Sequence, residues 1–242
     1  MNGKFTLFYF IHTPMANNIV IIVAGGIGSR MQSDIPKQYL LLEGRPVLMH
    51  TIEAFVPMAT QIIVVLHAEM EKYWTTLCQN HQFNIPHDIV HGGSTRFQSV
   101  KNGLIYFKNK YSEMLLHNTI IAVHDGARPL ADKILITKSF EMAHKGKANI
   151  LAIPSTNSIR HGTIGNSKTM KRDNIWLIQT PQTFPSQLLI NAYEQDEQPD
   201  FTDDASVVEK MGSSIYLLES NHKNIKITFP EDIEIAQIYL KK

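Results

Sequence analysis

The chain has 242 residues, 43% hydrophobic and 19% charged, a length and composition that fit one large α/β domain or two small ones with a substantial core. Its formal net charge of +1 excludes a strong general field for nucleic acid or membrane, so any anion site must be local, built from a few placed cations and backbone amides. The one cysteine, Cys78, excludes an internal disulfide framework, suits a reducing cytoplasm and reads as a small apolar packing residue.

No apolar run approaches the roughly 20 residues needed to cross a bilayer. The opening run from Thr6 to Ile11 has the character of a short signal core, but His12 and Pro14 interrupt it and no small-x-small cleavage site follows. Residues 1–17 are therefore expected to be a disordered leader, or to follow an upstream start codon chosen in error, ahead of a single domain over 18–242. Asn18 to Val23 reads as a buried strand, residues 46–56 as a helix with Pro46 in its first turn, and Gln61 to Leu66 as a second strand. Met70 to Asn80 reads as helix, Ile89 to His91 as a short strand, Thr95 to Lys108 as helix and Thr119 to His124 as strand. Helix follows over Lys133 to His144 and strand over Asn149 to Ile153. Residues 154–175 are polar and lack helical period, which predicts an extended arm that reaches a second subunit. Asp203 to Met211 reads as helix, Ser214 to Glu219 and Asn224 to Thr228 as strands, and a last helix starts at Pro230. This β-α-β-α order predicts an α/β fold whose mostly parallel sheet has helices on both faces, with ligands at the carboxyl ends of the strands.

Three motifs follow predicted strands directly. In Ala24-Gly25-Gly26-Ile27-Gly28-Ser29-Arg30-Met31, glycines let backbone N–H groups approach a phosphate, and Arg30 and Lys37 add two cations. Met31 stands where a dinucleotide fingerprint needs its third glycine, and no G-K-[ST] marks a P-loop. In His124-Asp125-Gly126-Ala127-Arg128-Pro129, Asp125 is placed to hold Mg²⁺ and Arg128 to grip a second substrate's phosphate; the alternative is an Asp–Arg pair that stabilises a turn. In Gly92-Gly93-Ser94-Thr95-Arg96, with Ser99 one turn on, a base or ribose contact competes with a plain turn and helix cap. Arg172, Thr180 and Lys226 carry no signal of their own. The eleven histidines form no H-E-x-x-H or Cys/His cluster, and no G-x-S-x-G elbow is present, so zinc and serine-hydrolase chemistry are unsupported.

The string from Ala24 to Gln38, His124 to Pro129, Gln179-Thr180-Pro181-Gln182, Thr202-Asp203-Asp204-Ala205-Ser206 and Asn224-Ile225-Lys226-Ile227-Thr228 together resemble the 2-C-methyl-D-erythritol 4-phosphate cytidylyltransferases, in that family's order, over about residues 18–240. The resemblance implies a Rossmann-like (GT-A-like) nucleotidyltransferase with an extended dimerisation arm, which takes part in non-mevalonate isoprenoid biosynthesis in the cytoplasm. It implies CTP, methylerythritol phosphate and Mg²⁺ or another divalent cation, a homodimer built through the arm at about 154–175, and no nucleic-acid or membrane partner. By position it assigns Arg30, Lys37 and Lys226 to catalysis and Ala24, Gly25, Gly26, Gly93, Ser99 and Gly126 to the nucleotide. Asp125 falls to metal and substrate phosphate; Arg128, Thr180, Ser158 and Arg172 fall to the acceptor, the last two reaching from the partner's arm. Ser94 departs from an aspartate of some members, Gly126 from a common alanine, and Asn157-Ser158 from a common Asp-Thr.

The reaction implied is in-line attack by an already anionic phosphate oxygen on the α-phosphorus of CTP, which needs positioning and charge stabilisation more than a base. The nearest alternative is ribitol-5-phosphate cytidylyltransferase on the same scaffold. An NAD-dependent oxidoreductase is disfavoured by the missing glycine and the lack of an acid at the second strand's end. A binding-only module has no need for Arg30, Lys37 and Asp125 together.

Overall fold

The computed structural model describes residues 17–26, 35–116 and 118–241. The expected leader up to residue 16 lies outside them, as does Arg30. The described elements run β1 (Asn18–Ala24), β2 (Leu41–Leu42), β3 (Arg45–Pro46), α1 (Val47–Phe55), β4 (Gln61–Leu66), α2 (Glu71–Asn80), β5 (Asp88–His91), α3 (Arg96–Lys110), β6 (Ile120–Asp125) and α4 (Lys133–His144). They continue with β7 (Asn149–Pro154), β8 (Ile159–Thr163), β9 (Asn166–Met170), β10 (Trp176–Pro185), α5 (Ser186–Ala192), α6 (Asp204–Glu209), β11 (Tyr216–Glu219) and α7 (Glu231–Leu240).

Seven strands form one sheet in the order β11-β7-β10-β6-β1-β4-β5. All neighbours are parallel except β10, which runs antiparallel between β6 and β7. The two-residue period of β1 divides the core. Ile19 and Ile21 pack with Val100, Leu104 and Phe107 of α3, while Val20 and Ile22 pack with Ile52 and Phe55 of α1 and Trp74 of α2. Helices thus cover both faces, and a continuous apolar strand is what a sheet buried on both sides requires. Gly103 lets α3 lie close: a Cβ there would stand 3.0 Å from Ile21 Cγ2. Caps set the helix starts, with Thr95 accepting from Gln98 N on α3, Asp132 accepting from Ile134 N and Leu135 N on α4, and Asp203 and Ser206 forming a capping box on α6.

From β1 the chain builds outward through β4 and β5, then returns to the other side of β1 as β6. The carboxyl ends of β1 and β6 therefore flank the point where the winding reverses, which is where open α/β sheets leave a crevice.

One expectation gains detail and another is overturned. The polar stretch expected as an arm is an ordered hairpin, β8 paired antiparallel with β9, its side chains exposed apart from half-buried Ile159. Asn224 to Thr228 is not a strand: Ile227 N donates to Ala127 O at 2.8 Å, and the segment lies along the loop after β6. β10 and α5 carried no expectation; β10 is interrupted by a register shift between Ile178 and Gln182. Among the described residues no helix is long and apolar enough to cross a membrane.

Candidate active site

A cavity of about 230 Å³ opens at the ends of β1 and β6. Ala24, Gly25, Gly26 and Gly126 line one part of it, Gly93 and Ser99 another, and Lys37, Asp125 and Lys226 also reach it. Gly126 matters for shape, because a Cβ there would stand 2.8 Å from the Ala24 Cβ. The glycine turn is tied back by buried Gln38, whose Nε2 donates to Ala24 O at 2.7 Å and Gly26 O at 3.1 Å. Ser99 Oγ accepts from Gly93 N at 3.2 Å and donates to Thr95 O at 2.8 Å, which fixes the β5–α3 turn against the helix it caps.

A second cavity of about 250 Å³ lies beside the first and shares Arg96, Asp125 and Lys226 with it. Arg128, Gln179, Thr180, Gln182, Thr202 and Asp203 add to its polar wall. Asp125 is the hinge between the two. Lys226 Nζ stands 2.8 Å from Oδ2, Arg128 Nε 3.4 Å from the same oxygen, and Arg96 Nε 3.6 Å from Oδ1. Burial alone would raise the carboxyl's pKa, but these three cations outweigh it and hold Asp125 far below the usual carboxylate range.

Each cation is itself held. Arg96 makes a two-pronged bond to Asp204, Nη1–Oδ1 at 2.9 Å and Nη2–Oδ2 at 2.7 Å, and Tyr193 Oη donates to the same fully buried carboxylate at 2.6 Å. Arg128 Nη1 donates to Asn224 O at 2.8 Å, and Asn224 Nδ2 donates to Gln179 Oε1 and Thr180 O. That bonding places Lys226, two residues on, at Asp125. Behind Asp125, His124 is fully buried against Phe55, with ring centroids 4.8 Å apart. Burial pushes its pKa down to about 4, against the opposing pull of the Arg128 carbonyl and Asp125, so the ring is neutral at physiological pH.

Of the residues singled out in the sequence, the fold gathers Ala24, Gly25, Gly26, Lys37, Gly93, Ser99, Asp125, Gly126 and Lys226 at the first cavity, and Arg128 and Thr180 at the second. Arg30 lies outside the described residues. Ser158 and Arg172 line neither cavity; both sit exposed at the base of the β8–β9 hairpin, where Arg172 Nη1 donates to Thr156 O.

The family model for 2-C-methyl-D-erythritol 4-phosphate cytidylyltransferase matches residues 18–242. The chain belongs to this family. A cytidylyltransferase of that name from Azobacteroides pseudotrichonymphae is 49% identical to it, across 92% of this chain and 98% of the relative. One from Bacteroides thetaiotaomicron is 46% identical, across 91% and 98%. The crystal structure of a family member from Francisella tularensis superposes with a TM-score of 0.74 at 33% identity, covering 92% of this chain and 99% of that one. A 4-diphosphocytidyl-2C-methyl-D-erythritol synthase from Anaerococcus prevotii gives a TM-score of 0.76 at 27% identity, covering 94% and 97%. The ribitol alternative gains nothing from these comparisons. In this cytidylyltransferase-family chain, sequence reasoning gave no role to Gln38, Arg96, His124, Gln182, Asp204 or Asn224. All six lie inside or beside the motif strings, yet their roles depend on partners distant in sequence, such as Arg96 on Asp204, 108 positions away.

Proposed function

We propose that the chain transfers the cytidylyl group of CTP to 2-C-methyl-D-erythritol 4-phosphate, forming 4-diphosphocytidyl-2-C-methyl-D-erythritol and pyrophosphate. The observation that carries this reading is the pair of adjoining cavities that share Asp125, Arg96 and Lys226. Two phosphate-bearing substrates in neighbouring cavities with a common cationic wall are the arrangement a phosphate-to-phosphate transfer needs.

In this reading CTP occupies the first cavity. Ala24, Gly25, Gly26, Gly93, Ser99 and Gly126 hold the nucleoside and the start of the triphosphate, largely through backbone groups that only small residues expose. The acceptor occupies the second, with its phosphate toward Arg128 and Lys226. The acceptor phosphate is already an anion at neutral pH, so its oxygen attacks the α-phosphorus without a strong base while the bond to pyrophosphate breaks on the opposite side. Lys37 and Arg30 neutralise the charge that grows on the α-phosphate oxygens and the leaving group. Lys226 bridges the two cavities and offsets repulsion between the two anions. Ser158 and Arg172 serve the acceptor from the arm of a second subunit, since neither reaches the cavities of its own chain.

The donor set fits a magnesium ion that arrives with the triphosphate. Asp125 offers one carboxylate facing both cavities, and among the described residues no group of three His, Cys, Asp or Glu side chains forms a protein-only cage. When bound, the ion would withdraw charge from the phosphate oxygens. A homodimer built through the β8–β9 hairpin agrees with the exposure of that hairpin, because an isolated two-stranded ribbon is marginal in water. The reaction takes place in the cytoplasm.

Incubation with each of the four nucleoside triphosphates and methylerythritol phosphate, with pyrophosphate release as readout, tests the assignment. Release with CTP well above the other three is expected. Equal release from all four, or release that does not depend on the acceptor, would overturn it.

A further inference from the structure

Thr180 sits between two donors and acceptors whose identities fix where its one hydroxyl proton goes. Its Oγ1 lies 3.0 Å from Asp125 N and 3.0 Å from His124 Nδ1, and the other ring nitrogen of His124, Nε2, lies 3.1 Å from Arg128 O. A carbonyl oxygen carries no hydrogen, so Nε2 must be the protonated nitrogen of the neutral ring. Nδ1 is then bare and can only accept. The Asp125 amide can only donate. Thr180 Oγ1 therefore accepts from Asp125 N and gives its proton to His124 Nδ1.

This leaves Thr180 a lone pair and no proton for a ligand, although it lines the second cavity. A phosphate dianion, which only accepts, gains nothing from it; a substrate hydroxyl, which can donate, does. We infer that His124 is a positioning residue that commits the Thr180 proton inward, so that Thr180 selects an acceptor substrate by taking a hydrogen bond from one of its hydroxyl groups. Arg128 and Lys226 then answer for the phosphate, and Thr180 reads the polyol chain. The other tautomer would turn two lone pairs, Nε2 and Arg128 O, on each other at 3.1 Å. The inference rests on the proposed acceptor site, and its test separates the two.

The first measurement needs no turnover. In protein carrying ¹⁵N-labelled histidine, His124, assigned by loss of its signals in His124→Asn, is expected to show a protonated Nε2 and an unprotonated Nδ1. A protonated Nδ1 would overturn the inference. The second uses methylerythritol phosphate analogues in which one hydroxyl at a time is replaced by fluorine, which cannot donate. For wild type, one analogue is expected to show a KM about tenfold higher than the parent, with the KM for CTP unchanged. That penalty should persist in His124→Asn, whose Oδ1 stands in for Nδ1 as acceptor, and vanish in Thr180→Val and His124→Leu. If every analogue's penalty is the same with and without the Thr180 hydroxyl, Thr180 does not read a donor and the inference fails. Should His124→Leu not fold, Thr180→Val and the nitrogen signals still decide. Failure of wild type to use the parent acceptor would instead strike the proposed function and leave the tautomer result standing.

Discussion

Lys37 enters the first cavity from a short 3-10 turn that begins just after Pro36, and the same turn presents Gln38 to the carbonyls of the glycine loop. One turn thus both shapes the cradle and supplies a cation to it. If Lys37 answers the charge that builds on the transferring phosphate, Lys37→Ala should lower kcat by about 10²–10³-fold in a folded protein, as removal of a group aimed at developing charge commonly does. Steady-state pyrophosphate release measures it, and an unchanged kcat would remove Lys37 from the chemistry. Asp204 makes a different kind of claim. It is fully buried and holds Arg96 by both oxygens, so Asp204→Asn leaves a guanidinium without its countercharge. A loss on the order of 3 kcal/mol is expected by urea denaturation, and a neutral result would show that Asp125 alone suffices for Arg96. At this scale the types of the site residues were legible in the motif strings. The pairing of Arg96 with Asp204 was not, because nothing in a linear pattern brings α3 to the start of α6.

Among the elements, α2 is secured to the sheet by Trp74, which is fully buried and whose Nε1 donates to His87 Nε2 at 3.0 Å. His87 Nδ1 in turn faces Ile85 O at 2.8 Å, so the ring is neutral with its proton on Nδ1. Burial lowers the His87 pKa, although the Ile85 carbonyl and Asp88 oppose it. The unfolded chain therefore takes up the proton first as pH falls. The stability from this contact is complete above about pH 6.5 and is lost as pH drops through the lower folded value. Urea titrations at stepped pH should show wild type losing stability from pH 7 toward 5, and the difference from His87→Phe should shrink over that range. A constant difference would mean that His87 does not titrate with folding. Helices and parallel strands were legible from period because each buries an apolar stripe or run. β10 was not, since its residues around Thr180 and Pro181 are polar and its register breaks between Ile178 and Gln182. The break is what frees Thr180 to bond the end of β6.

For the molecule as a whole, the proposed homodimer rests on the β8–β9 hairpin, which carries Ile164 fully exposed at its tip. Replacing residues 160–169 by a short glycine linker should leave the seven-stranded sheet folded, by circular dichroism and urea denaturation. If the proposed dimer forms through this hairpin, the change should convert it to a monomer in sedimentation and reduce turnover with methylerythritol phosphate. A shortened protein that stays dimeric would place the interface elsewhere. The sequence by itself determined the parallel α/β frame, the places where loops follow strands, and the glycine, lysine and carboxylate types at those loops. It could do so because burial on both faces and close backbone approach each demand particular side chains at particular spacings. Only the tertiary structure decided that Asp125 faces three cations across two joined cavities, that a segment expected as a strand is instead the support for Lys226, and that the Thr180 hydroxyl lies 3.0 Å from both His124 Nδ1 and Asp125 N. Those outcomes depend on hydrogen bonds between segments tens of residues apart, whose distance and direction are set only when the sheet and its helices have packed.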